Sequence, residues 1–263
     1  MTSILKDETL DGFRVETDAA HARADIVLDR PPLNIISLAQ RDQLRRVFEA
    51  LDADDAVRVI VLRANGPHFS SGGSISGFLD ATPEDLSKLA WNVAAPARCS
   101  KPVIAANRGY CFGVGFELSL ACDFRLVSET CLYALPEQKL GQIPGSGGSA
   151  RLQRMVGIAR AKDVIMRGRR VSAAEAHGLG IAVACVKDDA LEKAAGDLAG
   201  ELLAFSPLAQ RTLKRLLNEG EDMPLSAAIE LEGQCYGRLS ASDDYREGVL
   251  AFTEKRPPRF KGT

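Results

Sequence analysis

Histidine is scarce in this chain: His21, His68 and His177 are the only three among 263 residues, and they are scattered. That leaves little material for a histidine-built metal site or a triad centred on imidazole, so no metal is expected. The six cysteines, Cys99, Cys111, Cys122, Cys131, Cys185 and Cys235, form no CxxC pair and have no histidine three or four residues away. Their mostly apolar neighbours point to reduced core thiols and a reducing compartment. Excess charge of one sign is also missing. Lysine and arginine number 33 against 35 acidic residues, so no basic field argues for nucleic acid. Apolar runs such as 57–62, itself broken by Arg58, fall far short of the ~20 residues that cross a bilayer. The opening MTSILKDETLDG lacks the basic start and apolar centre of a signal peptide, and a cytoplasmic location is expected. GVGFEL begins like GxGxxG, but Leu118 stands where the last glycine belongs, and no GxxxxGK[ST] occurs. Ser70, Ser71 and His68 lie close together without a nucleophile elbow around them.

What is present is an ordinary soluble composition, 46% hydrophobic and 26% charged, at a length one α/β domain can reach. FRVET and ADIVLD, within 13–29, alternate as a half-buried hairpin does. Arg30-Pro31-Pro32-Leu33-Asn34 cannot continue a ladder. Ser37 and Gln40 have capping-box spacing at the start of a helix whose Leu38, Leu44, Val47, Phe48 and Leu51 share a face. Residues 57–64 read as a buried strand, and the glycine- and serine-rich loop 65–77 follows its C-terminal end, where α/β proteins bind ligands. A helix capped by Thr82, with Pro83 at its first position, is expected over 82–98. Strands are expected at 101–107, 124–129 and 132–135, a glycine-bearing turn at 108–115, and helices at 114–122 and 149–156. Two strands then a helix is the rhythm of the first 150 residues. From Arg160 the chain becomes helical except for a short strand in IAVACV, which suggests a subdomain border. A ββα core carrying the site is expected over 1–200 and a C-terminal helical region over 201–263.

The chemistry concentrates in Lys101–Leu152. Glu117 lies one turn into the helix opened by Gly113-Val114-Gly115, on a face with Phe116 and Leu120. A carboxylate there is buried or at a cavity edge, and burial raises its pKa toward the range of an acid–base catalyst. An exposed or arginine-paired glutamate fits the same spacing. Glu137 follows Pro136 among Tyr133, Leu135 and Leu140. It reads as a surface loop carboxylate, the commoner fate of a glutamate in a loop, or as the partner that divides proton transfer with Glu117. Gly72-Gly73 and the GVG turn can each bring backbone amides to a ligand. Two such amides make an oxyanion hole, one donor contributing about 3–4 kcal/mol in a transition state.

These residues resemble the crotonase (enoyl-CoA hydratase/isomerase) superfamily over nearly the full length. The resemblance is carried by IVLDRPPLNIIS, VIVLRANGPHFSSGGSI, KPVIAANRGYCFGVGFELSLACDFRL, ALPEQKLGQIPGSGGSARL and FTEKRPPRFKG. It implies a spiral of repeated ββα units with a C-terminal helical trimerisation region, assembled as a homotrimer or a hexamer of two trimers. It implies reversible hydration of a 2-enoyl-CoA, in fatty acid or aromatic acid metabolism. Glu117 and Glu137 match the catalytic pair, Gly73 and Val114 the oxyanion-hole amides, and Gly145 a glycine beside the water site. Ile75, Phe252 and Lys255 match residues that approach coenzyme A, which belongs to the substrate; no further cofactor is implied. The chain departs from the pattern at Pro67, Ser74 and Ser76, which concern the CoA phosphates. Other superfamily chemistries, a double-bond isomerase or a hydrolase, and a non-catalytic CoA-binding scaffold are the competing implications.

Overall fold

The computed structural model describes residues 9–263, so most of the polar opening lies outside the described residues. The expected hairpin is β1 (Phe13–Asp18) antiparallel to β2 (Arg23–Leu28), with Phe13 opposite Leu28. Arg30–Asn34 then leads into α1 (Leu38–Asp52), capped by the full Ser37–Gln40 capping box. The main sheet continues through β3 (Val59–Ala64), β4 (Val103–Asn107), β6 (Phe124–Ser128) and β9 (Ala184–Val186). Its order is β1-β2-β3-β4-β6-β9, parallel after the first pair. Strand β3 is apolar from Val59 to Leu62 because both of its faces are covered there. Ile60 and Leu62 enter one core layer, and Val59 and Val61 enter the other beneath α8 (Leu191–Leu203). Each such side chain contributes about 1.5–3 kcal/mol when fully buried.

A second sheet was legible only in part. Its central member β7 (Leu132–Ala134) matches an expected strand, whereas β5 (Tyr110–Phe112) lies within the expected turn 108–115, and β8 (Val171–Ser172) has no counterpart among the expected strands. Glycines 109 and 113, both at positive φ, bracket three strand residues and disguise them. The helix expected over 82–98 is broken into α2 (Pro83–Val93) and α3 (Ala95–Arg98). Pro96 explains the break, since it has no N–H to bond back one turn. The remaining helices are α4 (Val114–Leu120), α5 (Gly148–Val156), α6 (Ile158–Met166), α7 (Ala173–Gly178), α9 (Pro207–Gly220), α10 (Leu225–Leu239) and α11 (Asp243–Glu254).

Residue 160 marks no border, because the segment beyond it supplies β8, β9 and α8 to the two sheets and their covering layer. Helix α9 is pinned to the core by Lys214. Its ammonium lies 2.7 Å from the Asp123 carboxylate and donates to the carbonyls of Pro96 and Lys101 at 2.8 and 2.9 Å. All six cysteines are free thiols, and burial pushes those of Cys99 and Cys122 up to about 12. Among the described residues no helix is long and apolar enough to cross a membrane.

Candidate active site

Three backbone segments converge around α4. The loop after β3 is stitched on both sides. Ser71 N–H donates to Leu33 O at 2.8 Å, Ile36 N–H to Gly72 O at 3.0 Å and Ser74 N–H to Ile36 O at 2.9 Å. On the other side Ser70 N–H donates to Tyr110 O at 2.8 Å and Phe112 N–H to Ser70 O at 2.9 Å. This lacing sets Gly73 beside Val114, the first residue of α4. A Cβ on Gly73 would stand 3.4 Å from Val114 Cγ1. The glycines around Val114 have separate reasons. Gly113 adopts φ 51°, which only glycine tolerates readily, and a Cβ there would meet Glu137 Oε1 at 3.0 Å. A Cβ on Gly115 would lie 2.7 Å from that of Ser70, so α4 packs directly on the loop. Val114 has no preceding helical turn to accept its N–H, and no described residue accepts that of Gly73.

Glu117 is 2% exposed. Its Oε1 accepts the N–H of Ser146 at 2.6 Å and of Gly148 at 3.0 Å, both from the turn that opens α5. Gly148 allows this approach, for a Cβ there would come within 2.9 Å of Glu117 Cγ. Arg151 steadies the turn by donating to Ser146 O at 3.2 Å. Burial raises the Glu117 pKa, while the two amides and the cations Arg41 and Arg151 oppose the rise. Glu137 opens the 3-10 turn 137–140, half-buried, with its Oε2 enclosed and without a partner. Burial, with the nearby charge of Glu117, pushes its pKa up to about 7. Behind the helix, Asn107 Oδ1 accepts from Ser119 Oγ and Tyr133 OH, each at 2.7 Å, and the Phe116 and Tyr133 rings stack at 4.2 Å.

Glu117, Glu137, Gly73 and Val114 are therefore brought together. Gly145 adjoins Ser146 and faces open space. Ile75 is exposed on the same loop as Gly73. Phe252 and Lys255 lie apart, Phe252 exposed and Lys255 in the left-handed cap of α11; no hydrogen bond or ring contact joins either to the site. Trp91 of α2 is exposed, with the Arg98 guanidinium 3.6 Å from its ring centroid. Three contributors were not expected. The Ser146 and Gly148 amides are backbone groups with no side-chain signature. Arg41 did carry a signal, since 41, 44, 48 and 51 follow the helical spacing of the buried face of α1.

The family model for enoyl-CoA hydratase/isomerase matches residues 19–263. A Rhizobium meliloti protein named a probable enoyl-CoA hydratase is 38% identical over 242 residues, covering 90% of this chain and 93% of its own. The Escherichia coli 2,3-dehydroadipyl-CoA hydratase is 34% identical, over 90% of this chain and 94% of its own. The crystal structure of an enoyl-CoA hydratase from Bacillus anthracis superposes with a TM-score of 0.90 at 32% identity, covering 96% of this chain and all of that one. With two glutamates, two free amides and the ββα architecture in place, the chain belongs to the enoyl-CoA hydratase/isomerase family, the crotonase superfamily.

Proposed function

We propose that this enzyme is a hydro-lyase that adds water reversibly across the 2,3-double bond of a 2-enoyl-CoA. The observation that carries the reading is the unequal treatment of the two carboxyls. Glu117 accepts two amide N–H bonds, which oppose the rise that burial imposes on its pKa, whereas Glu137 Oε2 is enclosed without a donor and its pKa is pushed up to about 7. Glu117 is the base and Glu137 the acid. The thioester oxygen accepts from the Gly73 and Val114 amides, which are placed to stabilise the charge that develops there. Water held at Glu117, beside Gly145, adds its oxygen to Cβ and gives its proton to Glu117. The enolate takes a proton at Cα from Glu137, and proton exchange with solvent resets both groups.

Ile75 lines the adenine end of coenzyme A, and Phe252 and Lys255 reach it from a neighbouring subunit. The exposed apolar side chains Leu225, Ile229 and Tyr236 of α10 and Phe252 of α11 support a C-terminal trimerisation region over 201–263, and a trimer or hexamer. Coenzyme A enters as part of the substrate, no cofactor is used, and the enzyme acts in the cytoplasm. The test is loss of enoyl-thioester absorbance over a panel of straight-chain, dicarboxylic and alicyclic 2-enoyl-CoAs. Reversible hydration of at least one member is expected. Isomerisation or thioester hydrolysis without hydration would assign the site to the other chemistry of the family.

A further inference from the structure

Arg41 is the one charged side chain of α1 on its buried face, and it is 6% exposed. Its guanidinium reaches across to Gly73, occupying the place where a side chain at that position would begin; a Cβ on Gly73 would collide with Nη2. Glycine at 73 is therefore what makes room for the cation. The guanidinium also lies against the Phe78 ring, 5.7 Å from its centroid. Its Nε is fully buried without a partner, and among the described residues none accepts a hydrogen bond from the guanidinium. No carboxylate among the described residues comes within ion-pair distance of it, although both Glu117 and Glu137 are near enough to favour its charge. A buried guanidinium has five donors and no acceptor, and its desolvation costs several kcal/mol unless an anion is hydrogen-bonded to it. The site thus holds an unspent, preorganised cation beside the amide that receives the thioester oxygen.

We propose that Arg41 binds a carboxylate carried by the acyl group, so that the preferred substrates are short dicarboxylic acyl-CoA thioesters. The inference rests on the acyl-CoA reading above and names the substrate class for that site. A planar guanidinium matches a carboxylate through two parallel hydrogen bonds, a geometry that an ammonium cannot reproduce. A neutral alkyl chain would leave the same donors buried and unpaired, so the site discriminates against it as well as for the charged chain. The alternative use of Arg41 is electrostatic support of the two glutamates, which would leave the enzyme indifferent to charge on the acyl group.

Calorimetric binding of saturated, unreactive thioesters separates these outcomes independently of any hydration. The matched pairs are glutaryl-CoA with butyryl-CoA and adipyl-CoA with hexanoyl-CoA. Wild type is expected to bind the carboxylated member of at least one pair about tenfold or more tightly, on the order of one charge-assisted hydrogen bond. Arg41→Met should erase that ratio, and Arg41→Lys should restore it only in part. Gly73→Ala, whose Cβ displaces the guanidinium without altering α1, should erase it too and serves if Arg41→Met does not fold. Equal affinity within both pairs in wild type, or an unchanged ratio in Arg41→Met, would overturn the proposal. Tight, selective binding of the carboxylated thioesters with no hydration of their 2-enoyl forms would retain it and refute the hydratase reading instead.

Discussion

Replacing Glu137 by glutamine should make the fold more stable at alkaline pH. The Glu137 carboxyl has a pKa of about 7 in the folded protein against 4.5 for an unperturbed glutamate. Below 4.5 it is protonated in both folded and unfolded chains and contributes no pH dependence. Between 4.5 and about 7 the folded chain holds a proton that the unfolded chain releases, so stability falls as pH rises through this window. Above it the full penalty of burying the ionised group is in place. At ~1.4 kcal/mol per pH unit the whole difference would amount to ~3.5 kcal/mol, and solvent at this half-buried position screens it to about 1–2 kcal/mol. For a chain of this size that corresponds to roughly 2–6 °C in melting temperature. Thermal melts of wild type and Glu137→Gln across pH 4.5–8 test it. The variant should gain on wild type as pH rises, with the gap closing toward pH 4.5. A gap that stays constant with pH, or that favours wild type at pH 8, would refute the assignment of Glu137 as a carboxyl held protonated by burial.

Activity should report the same group. With Glu137 as the acid, kcat/KM should fall above a pH of about 7, by about tenfold per pH unit well beyond it, and a pH–rate profile flat to pH 9 would exclude that role. Gly148→Ala should force Glu117 away from its amide donors and lower kcat by about 10²-fold with a smaller change in KM, as small misplacements of catalytic groups do. Lys214→Met should leave the Asp123 carboxyl buried without its cation and cost about 3 kcal/mol in urea unfolding. A change below ~1 kcal/mol would mean that α9 is held by its apolar face instead.

Much of the frame was legible because local chemistry and the fold agree. The Ser37–Gln40 capping box, the Thr82 cap with Pro83 behind it, and the alternation of the 13–29 hairpin all recur in the structure. The doubly buried β3 was legible from its unbroken run of Val59–Leu62. Strand β5 was not, since three residues between positive-φ glycines carry no periodicity of their own. The break between α2 and α3 is marked in the sequence by Pro96 alone, within a stretch whose helical spacing is otherwise continuous. At the site, the glutamates and the glycines of GVG and PGSGG were readable as residue types. The bonds from Ser146 and Gly148 to Glu117 were not, because they depend on where a turn places two backbone amides. Arg41 shows the limit of binary patterning: a charged residue stands in line with Leu44, Phe48 and Leu51 on a face defined by its apolar members. Such an exception to a hydrophobic face is where a functional group is most to be looked for.

The claim most exposed to a single measurement is that Glu117, fixed by two amides, activates the water. Single-turnover hydration of a 2-enoyl-CoA that wild type accepts, followed in Glu117→Gln at saturating enzyme, tests it directly. The account predicts a rate lower by about 10³-fold or more with thioester affinity changed by less than about threefold, since the glutamine keeps the size of the side chain and loses the base. A Glu117→Gln enzyme that hydrates within about tenfold of the wild-type rate would contradict it.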